Sequence, residues 1–447
     1  MKRIFSAAFV ALCTIFVLVG CSKELPTSNV EQPDVLPQIQ QEHMGFSVVS
    51  EQEVTGDELY ASTLGVLESN PELKGIFEQQ NVLKIKSAFQ EADTKALSPV
   101  LYKVVKINYQ TLDQFNKEVT ASALIVYPLL RKMTKVMLVN HGTHIGNAMI
   151  PSQYTSVEAI MGATGALCIL PDYIGIGASA DHPDLYLNHE VHGRTSVDAL
   201  LTLLDYAKSK KLNLASNYKT YIAGYSQGGS VSLASLRRVQ QLDAATQKRI
   251  NLQKVFCGDG PYDLRMTFES YLSDYKAGKE MGLPSVIPMV INSMFNSYPE
   301  EMSSLNYEDF FTDWALSTGV PQAARNNSES TDDMLKKFSG KQLGDILDME
   351  YLDANPDAFN LLLSMMDRQN LCKGWTPKYS LKLLHCNPDG VVPYANFEEA
   401  YKGLNNSYMQ EPHIIEVTGS IKEKSLLVHC YGMVVMLDDI FYGDFLK

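Results

Sequence analysis

The sequence has no run of lysines or arginines, no Cys-x-x-Cys pair, no Gly-x-Gly-x-x-Gly loop and no internal repeat. Each absence removes a class of protein. The chain sets 38 Lys and Arg against 51 Asp and Glu, and its net charge of −13 gives no general attraction to nucleic acid. Seven cysteines without close spacing suit neither a zinc knuckle nor a disulfide scaffold, so no metal site is expected. Gly175 and Gly177 do not extend to a phosphate-cradling loop, so no dinucleotide or other cofactor is expected. Hydrophobic residues at 45% and charged residues at 20% exclude a wholly disordered chain and a multi-span membrane protein. At 447 residues the chain can bury a large core without staples.

The one long apolar run is at the start, in MKRIFSAAFVALCTIFVLVGCSKE. Lys2 and Arg3 precede Ile4 to Val19, a layout that reads as an export signal rather than a stable spanning helix. Its end, Leu18-Val19-Gly20-Cys21, resembles the lipobox of bacterial lipoproteins. That resemblance implies cleavage before Cys21, a diacylglycerol on its thiol, and attachment to the cell envelope. Ser22 in the next position points to the outer membrane in the enterobacterial scheme. Loss of residues 1–20 takes Lys2 and Arg3 with it and moves the net charge to −15. Residues 21–55, with Pro26, Pro33 and Pro37 among Gln, Glu and Ser, are expected to form a flexible tether.

Beyond the tether, helical spacing over 56–93 gives way to apolar and alternating segments that predict strands. These lie at 101–110, 119–128, 135–142, 166–173, 218–226, 252–260, 381–386 and 413–419. Helical segments at 196–208, 228–242 and 396–402 intervene, and a short one is expected near 156–160. Near-continuous apolar strands with helical crossovers predict an α/β fold with a mainly parallel sheet covered on both faces. The stretch 264–378 has no strand-like alternation, while PSVIPMVINSMFN, TDDMLKKF and FNLLLSMMDRQN read as helices. It is expected to be a helical cap inserted into a core formed by 56–263 and 379–447.

Three positions carry a hydrolase expectation. Gly224-Tyr225-Ser226-Gln227-Gly228 fits G-x-S-x-G between a strand and a helix, the setting in which a strained turn presents a nucleophilic serine. Gly224 and Gly228 would let strand and helix approach. A serine nucleophile needs a base and an acid to orient it, and on this architecture they follow in the order acid, then histidine. Asp389 follows the strand 381–386 and is the preferred acid; Asp259 and Asp263, after the preceding strand, are its rivals. His429, after the last strand, is the candidate base, whereas His385 and His413 fall within or at the start of strands. The oxyanion donors are expected to be the Gln227 N–H and, from His141-Gly142-Thr143, the N–H of Thr143 or, second, of Gly142.

Together GYSQGG, the His-Gly after the third strand, DGVVP and the terminal histidine resemble the α/β-hydrolase superfamily. Leu170-Pro171-Asp172-Tyr173-Ile174-Gly175-Ile176-Gly177 is similar to the DYxGxG segment of secreted, secretory lipase-like serine hydrolases. The resemblance implies an ester hydrolase with Ser226, Asp389 and His429 as its triad and a helical cap before Asp389. The leading glycine usual before the acid is absent from Cys386-Asn387-Pro388-Asp389. A serine peptidase and an inactive lipid-anchored binding protein are the alternatives. Short acyl esters, glycerides and acylated glycans all fit as substrates, with Met289, Met294, Phe295 and Met365 or Met366 as candidate pocket residues, although ordinary helix packing inside the cap is the preferred reading of the methionines.

Overall fold

The computed structural model describes residues 45–62, 101–143, 150–153, 157–278, 284–329, 331–338, 340–389, 391–417 and 425–440. The export signal, Cys21 and most of the expected 56–93 helical stretch lie outside them.

Nine strands form one sheet: β1 (Phe46–Thr55), β2 (Leu101–Leu112), β3 (Glu118–Pro128), β4 (Met133–Asn140), β5 (Leu167–Pro171), β6 (Leu214–Tyr225), β7 (Leu252–Gly258), β8 (Ser380–Asn387) and β9 (His413–Glu416). Their order is β1-β2-β3-β5-β4-β6-β7-β8-β9. Pairing is antiparallel from β1 through β5 and parallel from β5 to β9. All eight expected strands are present. β1 is a correction, because residues 46–55 were expected to belong to the tether. Its residues are almost all exposed on both faces, so no apolar alternation marks it, and it joins the sheet by backbone pairing along β2.

The helices that matter here are α1 (Gly56–Ser62), α2 (His189–Ser209), α3 (Gln227–Gln241), α4 (Ala244–Ile250), α5 (Leu264–Lys276), α6 (Val286–Ser297), α7 (Pro356–Asp367), α8 (Tyr394–Leu404) and α9 (Ser425–Ile440). The segment expected to be helical near 156–160 is a 3-10 helix, Val157–Thr164. One face of the sheet packs Val104, Val126, Met137 and Phe256 with Val428, Val434 and Leu437 of α9. The opposite face packs Ile107, Ile125, Leu138 and Val255 against Leu200, Leu203 and Leu236 of α2 and α3, and against Phe397 of α8. Strands covered on both faces need apolar residues at successive positions, which is why β5 reads LCILP with every residue buried. Each such Leu, Ile or Val contributes about 1.5–3 kcal/mol on burial.

Between β7 and β8 the chain forms α5, α6, several short helices and α7. They share a third apolar cluster that also takes in Tyr186, Leu187, Val391 and Val392 from loops of the core. No helix among the described residues is long and apolar enough to cross a membrane.

Candidate active site

β6 runs straight into Ser226, and α3 begins at the next residue. Ser226 has φ 58° and ψ −127°, a backbone region that costs a non-glycine residue on the order of 1–3 kcal/mol. The turn can be this tight because its glycines lack side chains. A Cβ on Gly224 would sit 2.2 Å from the Gly228 carbonyl oxygen, and one on Gly228 would sit 2.1 Å from that of Asn140. The positive end of α3 is therefore directed at the serine.

His429 lies in the first half of α9, and its Nδ1 is 2.7 Å from Asp389 Oδ2, in the loop after β8. Both side chains are buried. With the proton on Nδ1, the imidazole donates to the carboxylate and its Nε2 is left as the basic nitrogen. Burial pulls the His429 pKa down to about 3, against a smaller upward effect of Asp259. The ring is therefore neutral at pH 7. Burial, then the nearby Asp259 carboxylate, pushes Asp389 well above the usual carboxylate range.

The two rival acids have distinct places. Asp263 caps α5, accepting from the Met266 N–H at 3.0 Å, and takes a second bond of 2.5 Å from Asn370 Nδ2. Asp259, directly after β7, belongs to the site: carboxylate oxygens of Asp259 and Asp389 and a ring nitrogen of His429 lie within 4.8 Å of one another. The Tyr225 hydroxyl reaches both Asp259 Oδ2 and, at 2.8 Å, the His429 carbonyl oxygen. His385, whose position inside β8 suggests structure alone, has Nδ1 2.5 Å from Asp259 Oδ1. Sequence reasoning did not reach Tyr225 or His385. No pattern in the sequence marks them; the β6–β7 pairing sets Tyr225 opposite Gly258 and so beside Asp259, and the β7–β8 pairing brings in His385.

Across from the serine, the turn after β4 holds His141, Gly142 and Thr143. The Gly142 N–H donates to Glu158 Oε1 at 3.0 Å, and Thr143 Oγ1 is 2.9 Å from the Tyr186 hydroxyl. Tyr173 stacks on the His141 ring with centroids 3.9 Å apart, and its hydroxyl donates to the His141 carbonyl at 2.9 Å. The DYxGxG segment thus braces this turn from below.

Asp172 in the same segment is an anchor. It accepts from Ser122 Oγ at 2.5 Å and from the Ser152 N–H at 3.1 Å, while Ser122 Oγ accepts from the Ala178 N–H at 2.8 Å. A Cβ on Gly177, at φ 64°, would fall 2.3 Å from Ser122 Oγ, so glycine is required there. Burial raises the Asp172 pKa from 3.8 to about 6. Because the folded pKa exceeds the unfolded one, the stability Asp172 contributes through its protonated form is complete below pH 3.8 and is lost as pH rises through about 6. Asp172→Ala should cost about 1–3 kcal/mol for each donor left without a partner. Urea unfolding from pH 4 to 7 should also show wild type losing its advantage over Asp172→Asn as pH rises; parallel curves would contradict this.

A pocket of about 430 Å³, its mouth included, opens over Ser226 and Gln227. Its walls are Tyr186, Leu187, Pro261 and Val392 from the core and Leu264, Thr267, Phe268, Tyr271, Val286, Ile287 and Val290 from α5 and α6. The candidate methionines and Phe295 do not line it, in keeping with the preferred reading that the methionines pack within the cap. Met289, Met294, Met365 and Met366 are buried within the helical cluster, and α6 turns Val286, Ile287 and Val290 toward the pocket instead. Apolar helical spacing shows that α6 is buried but does not show which of its faces meets the serine.

No protein-family model and no curated protein matches this sequence. Solved structures do. The rice cell wall degrading esterase LipA from Xanthomonas oryzae superposes with a TM-score of 0.66 at 18% identity, over 88% of this chain and 97% of that one. Candida antarctica lipase A in its closed state superposes with a TM-score of 0.55 at 16% identity, over 90% of this chain and 83% of that one. With the strand order above, these likenesses establish the α/β-hydrolase fold.

Proposed function

We propose that the chain is a serine ester hydrolase, a carboxylesterase or lipase-like enzyme, working through an acyl-enzyme on Ser226. The observation that carries this reading is the buried His429–Asp389 pair at 2.7 Å, tied through the Tyr225 hydroxyl to the residue before a strained serine that lines a mostly apolar pocket. His429 Nε2 takes the Ser226 proton as Oγ attacks the ester carbonyl, then returns it to the leaving alcohol. Water repeats the sequence on the acyl-enzyme. Among the described residues the Ser226 hydroxyl holds no hydrogen bond, and nucleophile–base contacts in empty sites commonly tighten only with substrate. The Gln227 N–H is the first oxyanion donor. Thr143 supplies the second, because the Gly142 N–H is already committed to Glu158. The helices between β7 and β8 act as a cap over the acyl pocket.

The low-lying His429 pKa keeps the base available through mild acidity, so the acid limb of kcat/KM should have its midpoint below the ordinary 6.5. The esterase neighbours and the mostly apolar pocket walls favour an ester over a peptide, which would bring an amide N–H and C=O per residue into that slot. Turnover of p-nitrophenyl acyl esters of graded length, set beside X-Pro and other amide substrates, tests the choice. Ester turnover with negligible amide cleavage is expected, and the reverse would establish a peptidase.

We further propose that the enzyme is held on a bacterial envelope membrane through acylated Cys21, the reading supported by Leu18-Val19-Gly20-Cys21. Labelled palmitate should enter the wild-type chain and not Cys21→Ser; equal labelling of both would rule the anchor out.

A further inference from the structure

The acid member of the site has more carboxylate than the chemistry above needs. Asp259 and Asp389 are both buried, come from neighbouring strands, and present oxygens within 4.8 Å of each other and of His429. Asp259 is held firmly. Its backbone sits at φ 39°, in the left-handed region, with its N–H donating to the Leu384 carbonyl at 3.0 Å. Its carboxyl accepts from the Cys386 N–H at 3.0 and 3.2 Å and meets His385 Nδ1 at 2.5 Å. Gly432 makes room for it, since a Cβ there would come 3.0 Å from Asp259 Oδ2.

Counting protons exposes a deficit. Tyr225 has one hydroxyl proton, yet its oxygen lies against two acceptors, Asp259 Oδ2 and the His429 carbonyl. Asp389 Oδ2 takes the His429 Nδ1–H, while Asp389 Oδ1 is buried with no hydrogen-bond partner among the described residues. His385 does not supply a second charge: its Nε2 is buried and unpartnered, which suits a neutral ring with its proton on Nδ1 toward Asp259. Two carboxylates this close in a dry site cannot both ionise without a large cost. One additional proton, lying between the two carboxyl groups, removes one of the two charges, and the Tyr225 hydroxyl then divides its own proton between Asp259 Oδ2 and the His429 carbonyl.

We propose that Asp259 is a positioning residue of this reaction, sharing one proton with Asp389 so that the pair carries a single negative charge behind His429. The proposal rests on the functional reading above, because the charge has meaning only when His429 becomes an imidazolium. Asp259, with His385 and the Cys386 N–H behind it, sets where the Asp389 carboxyl stands. Tyr225 ties that unit to the backbone of His429 and, being adjacent to Ser226, to the nucleophile. Consistent with this, burial and the neighbouring Asp259 carboxyl hold Asp389 protonated more readily than an ordinary aspartate, while against its own burial the hydrogen bond from His385 helps to draw Asp259 the other way.

Infrared difference spectra of substrate-free protein in D₂O at neutral pH test the pair. The carbonyl stretch of a protonated carboxylic acid should be present in wild type and lost in both Asp259→Asn and Asp389→Asn, since neither variant leaves two carboxyls to share a proton. Asp172 and Asp184, whose desolvation raises their pKa values to about 6 and about 7, contribute equally to all three spectra and cancel. Retention of the band in either variant overturns sharing; should Asp259→Asn fail to fold, Asp389→Asn reads the same band. Kinetics test positioning. Asp259→Asn, whose amide can donate to Asp389 Oδ1, should keep kcat within about tenfold, and Asp259→Ala should lose about 100-fold in kcat with little change in KM. Equal effects of the two substitutions, or effects on KM alone, overturn the role. The band is read without turnover, so the pair and the serine mechanism can fail separately: an active Ser226→Ala would remove the second and leave the first.

Discussion

Ser226→Ala should abolish ester hydrolysis while leaving the protein folded. The expected loss in kcat is about 10⁶-fold, the scale on which removing a nucleophile from an assembled triad leaves only binding and oxyanion stabilisation. KM should change little, because the pocket that holds the acyl group is built from Leu187, Phe268, Val286 and their neighbours rather than from the serine. Stability should change little as well. The unfavourable φ of 58° is imposed by the β6–α3 junction and by the glycines on either side, and alanine inherits it unchanged. Progress curves with p-nitrophenyl esters and thermal unfolding of the same samples check both halves. A variant that keeps more than a small fraction of wild-type turnover would mean that the nucleophile is elsewhere.

Asp389→Asn should be the next most damaging change, with a loss of about 10⁴-fold in kcat at neutral pH. An amide in place of Oδ2 can present its N–H to His429 Nδ1, which turns the ring over to the tautomer whose Nε2 carries the proton and cannot act as a base. The burial of the pair allows no water to restore the original arrangement. Asp263→Ala is the control on the same side of the sheet. It removes the N-cap of α5 and should cost about 1 kcal/mol in stability, with no comparable loss in kcat. Comparable losses in turnover from both substitutions would mean that the acid was misassigned.

The parallel half of the sheet was legible because strands buried on both faces must be apolar at nearly every position, as in LCILP and TYIAGY. The elbow was legible for a related reason: only glycine fits where α3 crosses Asn140 and β6, so the pattern records a packing constraint. β1 was not legible. Its two faces are both solvated, and backbone pairing leaves no mark on side-chain polarity. For the methionines, packing inside the helical cluster is the preferred reading over a place in the pocket wall, and it holds; which residues of α6 face the pocket was not legible, because helical spacing gives burial and not direction. Asp259 was visible only as a rival to Asp389. Sequence order makes the two compete for one role, whereas the adjacency of β7 and β8 brings them into one unit. His385 shows the same limit: its place inside a strand is structural, and its side chain still reaches the acid.

Reaction with a fluorophosphonate, followed by mass mapping of the modified peptide, tests the covalent serine most directly. It depends on the activated nucleophile and its oxyanion donors and not on the choice of ester. One adduct is expected, on Ser226, forming in step with loss of ester turnover and absent from Ser226→Ala. Full ester turnover after exposure with no adduct, or inactivation by an adduct on another residue, would contradict the assignment of Ser226 as the nucleophile.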